Sequence, residues 1–239
     1  MSALTDVSFP ASTGRPMRAA LAAPNDPGPR PAVLVLHEAF GLNADIRRLT
    51  GRVADLGYMA MAPDLFDGRG PWPLCLLQAF ATLLRGRGRV FEDIEAARRW
   101  LAGRPHVDAE RVAVVGFCLG GGFALLYAAQ APLRAAGTFY GAVPRAQETL
   151  RGICPTLGGY GGRDRIFASH AARLERHLTA LGVAHDVRLY PDAGHSFMSH
   201  HEGLPALIGT LGGLAVGFDR GAEADSWRRI ERFFREHLG

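Results

Sequence analysis

The sequence predicts an α/β fold, with a mostly parallel central sheet and helices on both faces. Three observations carry this. Short apolar runs alternate with amphipathic stretches from end to end, the order expected of strands joined by helical crossovers. The 30 glycines in 239 residues exceed the usual share of about 7%, and many follow apolar runs, where strand-to-helix turns need them. The composition, 48% hydrophobic and 21% charged, is that of a folded globular chain.

The elements follow in order. Residues 1–23 supply one or two antiparallel strands at the sheet edge. Residues 32–36, Ala-Val-Leu-Val-Leu, form a buried strand. Residues 46–56 read as a helix ended by Gly57, and residues 59–62 as a short strand closed by Pro63 and Asp64. Residues 90–101 have helical spacing, with Phe91, Ile94, Ala97 and Leu101 on one side. Residues 111–115 form the next strand and 120–131 the helix after it. Residues 135–140, 156–160 and 186–190 are three further strands. A helix at 170–181 separates the last two, and one at 226–237 closes the chain. No linker or internal repeat interrupts this order, so residues 1–239 are expected to form one domain.

Several classes are set aside. The formal charge of +4 comes from arginines scattered over helices, with no tight basic cluster interleaved with aromatics, so no nucleic-acid partner is expected. No apolar run reaches the roughly 20 residues of a membrane span, and residues 1–10 lack the pattern of a signal peptide. The apolar stretch 204–218 is broken by Pro205, Gly209, Gly212 and Gly213 and reads as a packed loop or short helix. Cys75, Cys118 and Cys154 show neither metal spacing nor an even count for disulfides, which fits a reducing cytoplasm. No cofactor or metal is expected.

The chemistry centres on Gly116-Phe117-Cys118-Leu119-Gly120. A β-rich run ends at Gly116, and a helix follows. This G-x-nucleophile-x-G pattern puts a nucleophile on a strained strand-to-helix turn, flanked by small residues because backbone crowds there. The turn also sets Cys118 at a helix N-terminus, whose positive end favours a thiolate. A nucleophile needs a base, and the base an orienting acid. On this fold the chain order is nucleophile, acid, histidine. Asp164 follows the strand at 156–160 and His195 follows the strand at 186–190, so both lie in loops at strand carboxyl ends. Asp192 is the competing acid; Asp164 is preferred because Asp192 is a neighbour of His195 in its own loop. His170 and His177 read as helix-surface residues, and His200 and His201 as loop residues or a metal decoration. The oxyanion hole needs two backbone donors. Leu119 N–H is one. The other comes from the loop after residues 32–36, which reads His37-Glu38-Ala39-Phe40-Gly41.

With those residues in view, the chain resembles the dienelactone hydrolase family over nearly its whole length. The resemblance rests on that loop, on Ala62-Pro63-Asp64-Leu65, on the Cys118 elbow running into Gly121, on Gly162-Arg163-Asp164 and on Gly194-His195-Ser196-Phe197. It implies an α/β-hydrolase fold and a Cys118–His195–Asp164 triad that hydrolyses a carboxylic ester or lactone through a thioester. It implies that Glu38 contacts the thiol and gates it, and that the second oxyanion donor is the N–H of Ala39. It implies no cofactor and a small-molecule ester or lactone as partner.

The resemblance stops short of the substrate. Family members that cleave dienelactone hold its carboxylate with arginines, one of them shortly after the histidine. Here Ser196, Phe197, Met198, Ser199 and His200 follow His195. Arg69 and Arg85 are the candidate substitutes. Phe40, Phe66, Trp72, Phe117 and Met198 are candidates for an apolar pocket, and residues 204–225 for a lid or contact surface. A monomer or small homo-oligomer is expected. The competing readings are a non-catalytic small-molecule-binding or regulatory module on the same fold, and a peptidase of the wider superfamily.

Overall fold

The computed structural model describes residues 3–24, 28–200 and 214–239. Eight strands form one sheet in the order β1-β2-β4-β3-β5-β6-β7-β8. They are β1 (Ala3–Pro10), β2 (Pro16–Ala23), β3 (Arg30–Leu36), β4 (Met59–Pro63), β5 (Val107–Phe117), β6 (Ala135–Phe139), β7 (Thr156–Gly161) and β8 (His185–Tyr190). β1 and β2 form an antiparallel hairpin, and β2 pairs antiparallel with β4. Every pairing from β4 to β8 is parallel. This is an α/β-hydrolase architecture.

Six helices accompany the strands among the described residues: α1 (Ala44–Asp55), α2 (Trp72–Arg85), α3 (Arg89–Ala102), α4 (Leu119–Ala128), α5 (Ala168–Ala180) and α6 (Arg220–Leu238). Side chains alternate along a strand, so β5 feeds two cores. Val112 and Val114 pack on one face with Ile94, Phe123 and Leu174 of α3, α4 and α5. Ala113, Val115 and Phe117 pack on the other with Ile46 and Leu49 of α1 and Trp227 and Phe233 of α6.

The expected strands other than the long β5 lie within two residues of those observed. The final helix starts six residues before 226, because the Asp219 side chain accepts the Ala222 N–H at 2.9 Å and caps it there. Helix α2 is the element that the periodicity did not reveal. Its sequence, WPLCLLQAFATLLR, has only Gln78, Thr82 and Arg85 as polar residues, so its outer face is not marked by charge and the helical spacing is hard to read. Pro71 and Pro73 open it, where proline fits the first turn, and Gly86 closes it with φ +65°. Of the expected loop or short helix at 204–218 and the lid or contact surface at 204–225, residues 204–213 lie outside the described residues, and 220–225 belong to α6. From 214 to 219 the backbone is irregular.

Parallel registry decides where the loops go. Leu36 pairs with Gly116, Phe117 with Phe139 and Gly161 with Tyr190. The carboxyl ends of β3, β5, β6, β7 and β8 therefore end at one edge, where loops of such sheets gather ligand-binding groups.

Candidate active site

Cys118 is the N-cap of α4 and sits at φ +52°, ψ −116°, a conformation that side chains rarely adopt. Neighbouring backbone enforces it. Cys118 N–H donates to Phe139 O at 3.0 Å, and Cys118 O accepts from Gly121 N–H at 3.0 Å. A Cβ on Gly116 would collide with the Gly120 carbonyl, and one on Gly120 with the Leu36 carbonyl. The two glycines flanking the cysteine are thus required by the close approach of β5, α4 and β3.

Asp164 and His195 meet across 31 residues of chain. His195 Nδ1 is 2.6 Å from Asp164 Oδ2. The other carboxylate oxygen, Oδ1, accepts the N–H groups of Ile166 and Phe167, each at 3.0 Å. Both side chains are buried. Burial alone would disfavour a charged imidazole. The Cys118 sulfur and the Asp164 carboxylate outweigh it, and the His195 pKa is pushed up to about 10. Asp192, the competing acid, lies at the surface.

The histidine loop is pinned along its backbone. His195 N–H donates to Leu214 O at 3.0 Å, Gly217 N–H to His195 O at 3.1 Å, and Asp219 N–H to Phe197 O at 3.0 Å. Arg48 of α1 donates to Met198 O at 2.7 Å.

Glu38 is buried, and its Oε1 accepts hydroxyls from Ser196 at 3.2 Å and Ser199 at 3.1 Å. Ser199 is also bonded to Tyr140, with 3.1 Å between the two oxygens. Tyr140, at φ +45°, has its ring 5.0 Å from that of His195. Burial, then the charge of Glu38 and, further down, that of Cys118, raise the Tyr140 phenol well above its ordinary value. Sequence reasoning did not single out Tyr140, Ser196 or Ser199. The one local signal was the position of Tyr140 next to the carboxyl end of β6.

His37 is a second omission. Its Nδ1 contacts Glu38 O at 2.7 Å, and its Nε2 accepts the Leu65 N–H at 3.0 Å. A ring with one donor and one acceptor is neutral, and burial accordingly lowers the His37 pKa. It fixes the loop carrying Glu38 and Ala39.

The expected pocket residues separate into two groups. Trp72 Nε1 donates to Ala39 O at 2.7 Å, and its ring stacks on Phe40 at 6.0 Å; both rings are partly exposed beside the loop after β3. Phe66 packs edge-on against His37 at 4.8 Å. Phe117 and Met198, by contrast, are wholly buried in the core shared with α1 and α6, because alternation along β5 turns Phe117 to that face. Arg69 does not face open solvent or a pocket. It is ion-paired with the buried Asp93, whose other oxygen accepts Ser12 Oγ at 2.5 Å. Arg85 is exposed at the end of α2.

A cleft of about 590 Å³ lined by Glu95, Arg98, Arg99 and Tyr127 lies at the far end of α4, roughly the length of that helix from Cys118. Hydrogen bonding to Arg98 holds the Glu95 carboxyl down at about 2, so this is an internally paired ion cluster. Among the described residues no group of three His, Cys, Asp or Glu side chains gathers to hold a metal, and no helix is long and apolar enough to cross a membrane. All three cysteines are free.

Residues 17–238 match the dienelactone hydrolase family. The chain belongs to that family. It is a hydrolase of this group, and its relatives agree. A Methylorubrum extorquens protein provisionally named carboxymethylenebutenolidase is 30% identical over 232 residues, 90% of this chain and 75% of its own. A dienelactone hydrolase-like promiscuous phosphotriesterase from metagenomic libraries superposes with a TM-score of 0.83 at 27% identity, covering 100% of this chain and 99% of its own. The dienelactone hydrolase of Anabaena variabilis, at 21% identity, shares the fold with a TM-score of 0.73 over 100% of this chain and 99% of its own.

Proposed function

We propose that this dienelactone hydrolase-family protein cleaves carboxylic esters or lactones, with Cys118 as nucleophile, His195 as acid and base, and Asp164 as the group that orients His195. The observation that carries the reading is the buried 2.6 Å contact from Asp164 to His195 Nδ1. It leaves Nε2, buried and without another hydrogen-bond partner among the described residues, to the nearby Cys118 sulfur.

The thiolate attacks the ester carbonyl carbon, and the carbonyl oxygen takes up negative charge. The N–H groups of Leu119 and Ala39 receive it, fixed donors that need no reorganisation as charge develops. The C–O bond then breaks, and the alkoxide leaves with the proton of the His195 imidazolium. A thioester remains on Cys118. Neutral His195 next takes a proton from water, which attacks the thioester and releases the acid and the thiolate. Asp164 holds Nδ1 protonated throughout, so Nε2 is the nitrogen that exchanges the proton.

Glu38 is the gate. Its carboxylate opposes a thiolate nearby, and Ser196 and Ser199 hold it in the resting protein. Thiolates suit esters with good leaving groups, such as aryl esters and enol lactones. Phe40 and Trp72 provide the apolar contact for the substrate. Arg69 is committed to Asp93, so a neutral substrate is favoured over a carboxylate. One domain spanning residues 1–239 carries the site. Free cysteines and a thiol nucleophile fit a reducing cytoplasm.

A panel of p-nitrophenyl esters and lactones tests this. Turnover with a thioester mass increment on the Cys118 peptide, both absent in Cys118→Ala, is the expected result. A folded wild-type protein that turns over no activated ester would favour a binding module instead.

A further inference from the structure

Helix α2 carries no charged side chain from Trp72 to Leu84. A helix that is apolar on all sides is ordinarily enclosed on all sides. Here only the face with Cys75, Ala79 and Leu83 enters the core. The opposite face presents Pro73, Leu77, Phe80 and Leu84 in one line, spaced i, i+4, i+7 and i+11. Leu77 is 67% exposed and Leu84 89% exposed. Leu74 widens the stripe, and Trp72 with Phe40 extends it to the mouth of the candidate site.

We propose that this face joins two copies of the chain, α2 packing antiparallel against the partner's α2 about a two-fold axis. Area is the first argument. At about 150–250 Å² for a fully exposed large side chain, the exposed fractions of Leu74, Leu77, Phe80 and Leu84, together with the exposed Pro73, amount to roughly 500 Å² per copy. That stands in the upper part of the range of the largest apolar patch on an ordinary monomer, about 300–600 Å², a patch that is often functional. Two such patches bury roughly 1,000 Å², the size at which a specific interface begins. A single stripe of this kind is also self-complementary, as a two-fold contact requires.

Charge selects the orientation. No acidic residue occurs between Gly68 and Phe91, whereas Arg85, Arg87 and Arg89 crowd the C-terminal end of α2. Parallel packing would press the two arginine sets together. Antiparallel packing sets them at opposite ends of a 14-residue helix, about 20 Å apart at 1.5 Å per residue and well beyond the screening length of about 8 Å. It also opposes the two helix dipoles. The midpoint of the stripe lies between Leu77 and Phe80, so Leu77 faces the partner's Phe80, and Pro73 the partner's Leu84.

Sedimentation velocity from about 1 to 100 μM tests the pairing. The wild type should sediment at twice the chain mass. The exposed-site double variant Leu77→Glu/Leu84→Glu should be monomeric, with its circular dichroism unchanged. If that variant misfolds, Leu84→Lys alone should raise the dimer dissociation constant at least tenfold. A wild type that is monomeric throughout overturns the proposal, as does a dimer that survives these substitutions. A monomer that instead pellets with phosphatidylglycerol vesicles overturns it by assigning the face to lipid. None of these readouts depends on turnover.

Discussion

Ser199 donates its hydroxyl to Glu38 Oε1 across 3.1 Å, joining the loop that carries His195 to the loop that carries Ala39. With Ser196 on the same oxygen at 3.2 Å, two hydroxyls hold one buried carboxylate. Hydrogen bonds to a charged group contribute about 1.5–3 kcal/mol each, so the position of Glu38 is a strong restraint on the thiol it is proposed to gate.

Glu38→Gln should therefore speed alkylation of Cys118. Loss of a nearby negative charge favours the thiolate, and a tenfold faster iodoacetamide reaction at neutral pH corresponds to about 1.4 kcal/mol. Ser196→Ala/Ser199→Ala should change the same rate while leaving the carboxylate in place. Stopped alkylation series across pH, on the three proteins, provide the measurement. Superimposable profiles would remove Glu38 from any gating role.

Cys118→Ala should lower the His195 pKa. After the opposing effect of burial, the Cys118 sulfur is the largest influence on this ring, and together with Asp164 it raises the pKa to about 10. A folded value above the unfolded 6.5 means the native state holds the proton more tightly. That contribution is full below pH 6.5 and is lost as pH rises through about 10. In Cys118→Ala the loss should move to lower pH. Imidazole proton resonances followed from pH 5 to 11 would show it; an unmoved titration would mean that the sulfur does not act on the ring.

Asp164→Asn should cost roughly 10³–10⁴ in kcat on p-nitrophenyl acetate, since an amide nitrogen facing Nδ1 stabilises the wrong tautomer. The asparagine oxygen can still accept from Ile166 and Phe167, so the melting temperature should move little. Comparable kcat in the two proteins would transfer the orienting role elsewhere.

Trp72→Phe separates two contacts. It keeps a ring against Phe40 but removes the 2.7 Å hydrogen bond to Ala39 O. A loss of about 0.5–1.5 kcal/mol is expected, appearing as a roughly two- to tenfold lower kcat if that bond steadies the Ala39 donor. A change confined to KM would assign Trp72 to substrate contact alone.

Asp93→Asn tests the buried ion pair. Asp93 is fully buried and Arg69 nearly so, and breaking such a pair leaves a charge without compensation at a cost of about 3–5 kcal/mol. At about 2–4 °C per kcal/mol for a chain of this size, the melting temperature should fall by roughly 6–20 °C. A shift below 2 °C would mean that water reaches Arg69.

The amino-acid sequence by itself determined the order of the elements and which residues stand at their ends. Apolar runs of strand length, helical spacing and the Gly116–Gly120 turn are local properties, and the parallel sheet then leaves Cys118, Asp164 and His195 little choice of edge. What lies across the chain was decided only by the tertiary structure. Arg69 reads as an arginine in a loop until Asp93 is folded beneath it. Phe117 and Met198 read as pocket residues until strand alternation and the packing of α1 and α6 turn them inward. Ser196 and Ser199 lie about 160 residues from Glu38, and no periodicity links them. Helix α2 escaped because periodicity reports contrast between two faces, and a segment whose outer face carries Leu77, Phe80 and Leu84 offers little. Local pattern fixes which side of an element is apolar; which distant group neutralises a buried charge depends on packing.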